Sequence, residues 1–296
     1  MPRARLRGLF MAAPPVLVVT VFVGLPIVAA VLYTFGYGGG PNTVVSSIAQ
    51  GQFLSTSGPT LGAYRDVFAD PLFGRSLVAT VVVTVVTTVV TLVMAGAIAL
   101  WARLSGSRLA KVLSALAVVP LFVPVVIASY ALLGFYARDG LPASVAHLLH
   151  LPEPVFSYTL TGVTIGEVWT SLPFAVLMLT SGFAAVPDAL VEAARDAGAS
   201  GLRTIRSVLL PMAVVPVVIA ATFTAIGVVG SFTVPYLLGP NAPNMLGVNL
   251  TQTFGAFNRA QQAQVMAVIL FVLAAGIGAA YVWANFRAAR RSGVDS

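Results

Sequence analysis

Six long stretches of apolar residues, nearly free of charge, dominate the pattern of this chain. A bilayer core about 30 Å thick is crossed by roughly 20 apolar residues in a helix, which satisfies its own backbone hydrogen bonds. We therefore predict an all-α membrane protein with six transmembrane helices. Their approximate bounds are Leu9–Phe35, Ser76–Trp101, Val112–Tyr136, Leu160–Val186, Val208–Leu238 and Ala263–Phe286. The run TVVVTVVTTVVTLV would suit a strand in water, but an uncharged stretch of this length favours a helix.

Two of the predicted spans are irregular, and the first has two interpretations. Pro120 and Pro124 predict a kink in the third span, because proline lacks a backbone donor and clashes with the preceding turn. The fifth span is long enough to include a re-entrant or broken portion near Gly227, Gly230 and Pro235. The first span is either a cleaved signal peptide or a retained helix. Its apolar length exceeds that of a signal sequence, which favours retention.

The basic residues orient the spans, because positively charged loops are kept in the cytoplasm. We predict that both termini are cytoplasmic. The inner segments then hold Arg3, Arg5, Arg7, Arg103, Arg108, Lys111, Arg195, Arg203, Arg206, Arg287, Arg290 and Arg291, and the outer segments hold only Arg65, Arg75, Arg138 and Arg259. The formal net charge of +7 is thereby explained by membrane topology, and no nucleic acid is needed as a partner.

Composition supports this organisation. The chain of 296 residues is 58% hydrophobic and only 8% charged, far more apolar than soluble proteins. It has no cysteine, which excludes disulfides, thiolate metal sites and cysteine nucleophiles. We divide it into an N-terminal cytoplasmic tail with the first transmembrane helix (1–35), an external loop (36–75), a five-helix core (76–286) that contains a cytoplasmic loop (187–211), and a cytoplasmic tail (287–296).

Catalytic chemistry is not indicated anywhere in the sequence. A phosphate-binding P-loop needs a glycine-rich run that ends in GK[ST], and the sole lysine, Lys111, follows an alanine. Any ATP-driven work must therefore come from a partner. His147, His150 and Glu153 have a spacing that would place three metal ligands on one helical face, but the prolines around them favour a solvated loop. We predict no cofactor and no metal site.

Glu167 is the one charged residue within a predicted span. A charge inside the membrane is costly, so such a residue is a functional candidate by default. It either lines a solute pathway or holds neighbouring helices by hydrogen bonds, and we favour the second role. Two other classes of protein remain open on these residues alone: a secondary transporter that acts by itself, and a membrane enzyme that uses the histidines and Glu153.

The cytoplasmic loop 187–211 has its own local pattern. Pro187 and Asp188 suit a helix start, and Glu192 lies in the early turns, where acidic groups interact favourably with the helix dipole. Gly198 is suited to the left-handed conformation that ends a helix, and Ser200 to the N-cap of a second helix. The loop is therefore predicted to form a short helix, a bend and a second helix.

This loop resembles the EAA signature of binding-protein-dependent ABC importer permeases, in which EAA, three residues, G and nine residues precede I-x-LP. Glu192, Ala193, Ala194 and Gly198 match, and nine residues then separate Gly198 from Val208-Leu209-Leu210-Pro211, with valine in place of isoleucine. The segments AYRDVFADPLFGRSL and EVWTSLPF are similar to the same family. The resemblance covers most of the chain, from about Gly62 to Phe286.

The resemblance implies a type I ABC importer permease (MetI-like) fold in the inner membrane of a prokaryote. It also implies that the loop holds a coupling helix, which contacts a cytoplasmic ATP-binding subunit through Asp188, Glu192, Ala193, Ala194 and Arg195. Gly198 would permit the bend after that helix. The implied partners are a second permease subunit, identical or similar, two cytoplasmic ATP-binding subunits, an external substrate-binding protein and membrane lipid.

The cargo is less well indicated. The segment GSFTVPYLLGP, from Gly230 to Pro240, looks like permeases for polyamines, ferric ion, thiamine, sulfate or phosphonates more than like sugar permeases. No intramembrane arginine favours an anion, and Glu167 alone barely favours a cation. A small polar solute is therefore expected, with a sugar as the alternative.

Overall fold

The computed structural model describes residues 2–38, 47–55 and 58–291, and the side chains of residues 11–38, 47–55 and 58–283. Within these residues the chain is helical and has no strand, which confirms the all-α prediction. The helices are α1 (Pro2–Val19), α2 (Leu25–Thr34), α3 (Gly62–Ala69), α4 (Pro71–Ser105), α5 (Arg108–Leu116), α6 (Val125–Phe135), α7 (Leu141–Leu148), α8 (Leu160–Ala184), α9 (Asp188–Asp196), α10 (Gly201–Thr204), α11 (Leu210–Met212), α12 (Val214–Val229), α13 (Thr233–Leu238), α14 (Leu246–Gly255) and α15 (Ala260–Arg291). A π-helical turn, Thr20–Gly24, joins α1 to α2.

The described residues contain four helical segments long and apolar enough to cross a membrane. They are Met11–Thr34, Pro71–Ser105, Leu160–Ala184 and Ala260–Trp283. These segments correspond to the first, second, fourth and sixth predicted spans. The third and fifth predicted spans each correspond to a bent pair of helices, so the number of spans rises to six only if each pair crosses once.

The third predicted span is broken rather than kinked. Arg108–Phe122 and Val125–Phe135 meet at an angle of 110°. A short 3-10 turn, Val119–Phe122, carries the first proline, and Pro124 has the extended conformation that precedes α6. Two prolines four residues apart remove two backbone donors from the same stretch, so the α-helical hydrogen bonds cannot continue through it.

The fifth predicted span has two interruptions. Helix α12 ends at Val229 and α13 begins at Thr233, which is the broken portion predicted near Gly230. A second break, which we did not predict, lies at Ala213, where Gly201–Met212 and Val214–Val229 differ in direction by 74°. Pro216 in the first turn of α12 explains this break, since proline is tolerated at a helix start and not in an interior.

The chain divides into two compact units, Met1–Gly74 with Asn249–Phe271, and Arg75–Val248 with Val272–Ser296. In the first unit, buried Gln261 and Gln262 at the start of α15 bind the segment after α2. Gln261 donates to the carbonyl of Tyr33 at 2.9 Å and accepts from the amide of Phe53 at 2.7 Å. Gln262 donates to the carbonyl of Gly51 at 2.8 Å and to Asp66 at 2.9 Å. These hydrogen bonds hold Gly51, Phe53 and Asp66 of the predicted external loop against the start of α15.

The second unit has two apolar clusters that involve α4, α8 and α12. One contains Ala95 and Ala99 of α4, Ala175, Val176, Leu179 and Phe183 of α8, Val191, Leu209, and Ala220 of α12. The other contains Val83 of α4, Val163 of α8, Val228 of α12, and Val234, Leu238 and Met245. The short residues of the first cluster let the helices approach closely, as is common in membrane proteins.

A candidate coupling helix and its supports

Helix α9, the candidate coupling helix, has the local structure predicted from the sequence. It begins at Asp188, directly after Pro187, and its last turn contains Arg195. An acidic residue in the first turn and a basic residue in the last both interact favourably with the helix dipole. The predicted start of the helix is therefore confirmed.

The end of α9 is a Schellman motif. Gly198 has a φ of +77°, its amide donates to the carbonyl of Arg195 at 2.8 Å, and the amide of Ala199 donates to the carbonyl of Ala194 at 2.9 Å. This pair of hydrogen bonds with a left-handed glycine is the defining feature of that motif. Ser200 then accepts a hydrogen bond from the amide of Arg203 and caps α10. The prediction of a helix, a bend and a second helix is confirmed.

One face of α9 packs on the protein and the other faces outward. Val191 is buried and belongs to the first apolar cluster, together with Phe183 and Leu209. Leu190 remains 43% exposed. Asp188, Glu192, Ala193 and Arg195 are exposed, and Ala194 is half-buried. Hence the charged and small residues of the motif are accessible to another protein, and a single valine anchors the helix.

The second half of the motif has a packing role. Val208, which stands where the family pattern has isoleucine, packs against the first apolar cluster. Leu209 is fully buried, and both residues lie in a π-helical segment, Ile205–Leu209. Valine keeps most of the apolar surface of isoleucine, so the departure from the pattern leaves this contact in place.

Arg103 supports α9 from another helix. Its Nε donates to the carbonyl of Phe183 at 3.0 Å, and its Nη2 donates to the carbonyl of Val186 at 2.9 Å and to Oδ1 of Asp188 at 2.6 Å. The sequence identified Arg103 only as one of the inner basic residues. No sequence pattern reveals these contacts, because they join residues 80 and more positions apart.

Glu167 lies in the interior of the second unit and is only 4% exposed. Ser231, between α12 and α13, is the polar side chain that interacts with its carboxyl group. Its Oε1 atom is buried and has no hydrogen-bond partner among the described residues. The preceding residue, Gly166, allows close approach, since a Cβ there would lie 2.7 Å from Cγ1 of Val234.

The second unit also contains buried side-chain hydroxyls without a hydrogen-bond partner among the described residues. They belong to Thr84, Thr87, Thr88 and Thr91 of α4, Thr180 of α8 and Thr224 of α12.

The histidine-containing segment does not assemble a metal site. Nδ1 of His147 lies 3.1 Å from Oε1 of Glu153, and the His147 side chain is 81% exposed. His150 follows α7 with a φ of +53°. Within the described residues no group of three His, Cys, Asp or Glu side chains is arranged to hold a metal ion.

Comparison with protein families decides the class of this membrane protein. Residues 92–291, which include α8, α9 and α15, match the family model described as a binding-protein-dependent transport system inner membrane component. The chain belongs to this family. It is the family of ABC importer permeases, multi-pass inner membrane subunits without an ATPase site of their own.

The names of curated relatives of this importer permease include different transported solutes. A probable ABC transporter permease protein y4oQ of Sinorhizobium fredii is 36% identical over 146 residues, 47% of each chain. The trehalose transport system permease protein SugA of Mycobacterium tuberculosis is 28% identical over 235 residues, 74% of this chain and 75% of SugA. The spermidine/putrescine transport system permease protein PotB of Escherichia coli is 30% identical over 168 residues, 53% of this chain and 61% of PotB. This chain thus spans about half the length of the first of these relatives.

A solved structure of an ABC transporter has the same fold as this chain. A bacterial alginate ABC transporter, crystallised with its alginate pentasaccharide-bound periplasmic protein, has a chain that superimposes with a TM-score of 0.74 at 15% sequence identity. The match covers 98% of this chain and 96% of that chain. The predicted type I fold is confirmed at the level of architecture, and a stand-alone transporter or a membrane enzyme is no longer needed to explain the chain.

Proposed function

We propose that this chain forms half of the translocation pathway of an ABC importer and receives ATP-driven movement through α9. The observation that carries the proposal is the two-faced packing of α9. Val191 holds the helix on the permease, while Glu192 and Ala193 point away from it and are accessible. A groove of a cytoplasmic ATP-binding subunit is the partner that fits a short, protruding helix with small residues on its outer face.

The other partners follow from the family. A second permease subunit, identical or similar, completes the pathway, and an external binding protein delivers the solute. Only 6% of the most apolar window of Met11–Thr34 is buried within this chain. That exposure supports contact of the first helix with lipid and with a neighbouring subunit, since apolar helices in a membrane need no cover from their own chain.

We assign Glu167 a packing role rather than a place in the pathway. Its burial within one chain and the proximity of Ser231 support this assignment. Glu167→Gln keeps the size of the side chain and one carbonyl oxygen, so we expect wild-type uptake and thermal stability. Loss of uptake by a variant that folds and assembles normally would instead assign Glu167 to the pathway.

The cargo is a small polar solute, and a sugar is as well supported as a polyamine. The segment from Gly230 to Pro240 favours a polyamine-type permease on sequence resemblance alone. Much of it is buried structure, with Val234 and Leu238 in the second apolar cluster. Resemblance in a packed segment reports the fold more than the cargo. In an importer of this type the ligand of the binding protein identifies the solute.

A pull-down from detergent extracts tests the proposal. The wild type should copurify with an ATP-binding subunit, a second permease and a binding protein. Glu192→Ala should lose the ATP-binding subunit and keep the second permease, while Asp196→Ala, at the exposed end of the same helix, should keep both. A wild-type chain that purifies alone and moves solute into liposomes without ATP would overturn the proposal.

A further inference from the structure

The junction between α8 and α9 is a short connection, in which buried Val186 belongs to the first apolar cluster. Only Ala185, Val186 and Pro187 separate the two helices, and Pro187 has a ψ of +134°, which turns the chain away from the axis of α8. The ring fixes φ of a proline but leaves ψ free. Val191 is the one buried residue of α9. Apart from Val191 and half-buried Ala194, the side chains of α9 are exposed, so the helix has few apolar contacts that fix its orientation.

Arg103 supplies a second anchor at the junction itself. Its guanidinium joins the end of α4 to the carbonyl of Phe183 in the last turn of α8, to the carbonyl of Val186, and to Asp188, the first residue of α9. The last carbonyls of a helix lack partners within the helix, and an arginine is a good donor to them. One side chain therefore connects three helices.

The position of Arg103 makes this connection firm. The side chain is 20% exposed, and its neighbours Leu100 and Leu104 pack against the first apolar cluster. A planar guanidinium with several donors loses little conformational freedom for each hydrogen bond that it forms. Asp188 is 76% exposed, so its ion pair is screened by water. The two carbonyl contacts therefore contribute more than the ion pair.

We infer that Arg103 is a positioning residue that fixes the orientation of α9 relative to α4 and α8, so that these helices move together when α9 is displaced. The inference rests on the proposed role of α9 as the contact with the ATP-binding subunit. Without Arg103, a displacement of α9 would bend the backbone around Pro187 and leave α4 and α8 in place. The fixed junction passes the movement to two transmembrane helices instead.

Distance measurements between spin labels test this directly, because the chain has no cysteine of its own. Labels are attached to Trp101→Cys on α4 and to Asp196→Cys on α9, in the wild type, Arg103→Ala, Arg103→Lys and Arg108→Ala. Arg108 is an exposed arginine just beyond α4 and serves as the matched control. Each complex is measured in detergent without nucleotide and then with ATP and vanadate.

We expect a narrow distance distribution in the wild type and in Arg108→Ala, unchanged by nucleotide. Arg103→Ala should broaden the distribution about twofold, and nucleotide should shift it, because α9 then pivots on Val191. Arg103→Lys should lie between, since a single ammonium cannot reach all three acceptors as the guanidinium fork does. If Arg103→Ala aggregates, Arg103→Lys provides the test. A broadened distance distribution in Arg103→Lys supports the inference, and a distribution like that of the wild type overturns it.

Copurification separates this inference from the proposed function. An ATP-binding subunit that stays with Arg103→Ala, together with a broadened distribution, supports both. A narrow, nucleotide-independent distribution in Arg103→Ala overturns the positioning role and leaves the proposed function standing. If no ATP-binding subunit copurifies with any variant, the proposed function fails, while the measurement without nucleotide still decides whether Arg103 holds α9.

Discussion

The short helices α9 and α13 are each followed by a glycine, but the two glycines are required for different reasons. Gly198 after α9 has a φ of +77°, and no atom lies within 4 Å of the position that a Cβ would take there. Gly239 after α13 has an ordinary φ, but a Cβ there would clash with the carbonyl oxygen of Pro235. The first glycine is required by backbone conformation and the second by lack of space. The open surroundings of Gly198 suit a helix that docks on another protein, and the crowded surroundings of Gly239 suit a helix packed inside the permease.

The largest expected effect is at Gly239. Gly239→Ala forces the backbone of α13 or Asn244 to move, so we expect a loss of about 3 kcal/mol of stability and less folded protein in the membrane. Gly227→Ala is the control, because nothing lies within 4 Å of its Cβ position. Thermal unfolding in detergent measures both. Equal stability of the two variants would show that α13 is not crowded.

The next effect is at Asn244, which is buried beside α13. Its Nδ2 donates to the carbonyl of Pro235 at 2.9 Å, and its Oδ1 accepts from the amide of Met245 at 2.7 Å. Asn244→Ala leaves a buried amide without a partner, which costs about 2 kcal/mol. Exposed Asn241→Ala should be neutral in the same unfolding experiment. A neutral Asn244→Ala would mean that water reaches the amide of Met245.

A smaller effect on stability, with a large one on function, is expected at Gly198. Gly198→Val should cost about 1 kcal/mol, since a β-branched residue is strained in the left-handed region, and it should abolish uptake by misdirecting α9. Gly201→Val is the matched control, because its Cβ position is equally open and its φ is not positive. Normal uptake by Gly198→Val in proteoliposomes would contradict the importance of the bend.

The smallest effect is at Ser200, the N-cap of α10. Its hydrogen bond from the amide of Arg203 is long, at 3.4 Å, so Ser200→Ala should cost only about 0.5 kcal/mol. Faster hydrogen exchange of the amides of residues 201–204, with unchanged global stability, is the expected result. A global loss of stability as large as that of Asn244→Ala would mean that the bend is part of the core.

The sequence predicts well the features that depend on neighbouring residues. The long uncharged runs, the start of α9 at Asp188 and the left-handed conformation of Gly198 are of this kind, because each is determined within a few residues. The resemblance of Glu192, Ala193, Ala194 and Gly198 to the family signature also depended on one short segment. The family match to residues 92–291 agrees with it.

The features that the sequence did not reveal depend on distant residues. The crowding at Gly239, the contacts of Arg103 with the end of α8, and the hydrogen bond from Leu246 to Thr80 join segments far apart in the chain. Prolines predicted a disturbance in the third span, but they did not predict the size of its 110° angle. The burial of Glu167 is of the same kind, since residues distant in the chain surround its carboxyl group.

Site-specific cross-linking from α9 tests whether this helix contacts the ATP-binding subunit. The chain has no cysteine, so a single one can be introduced at Ala193, on the exposed face of α9. Exposed Leu148 at the end of α7 is the control position. Each cysteine is labelled with a maleimide photo-cross-linker. We expect a covalent adduct with the ATP-binding subunit from Ala193→Cys and none from Leu148→Cys. No adduct from Ala193→Cys, or equal adducts from both positions, would contradict the assignment of α9 as the coupling helix.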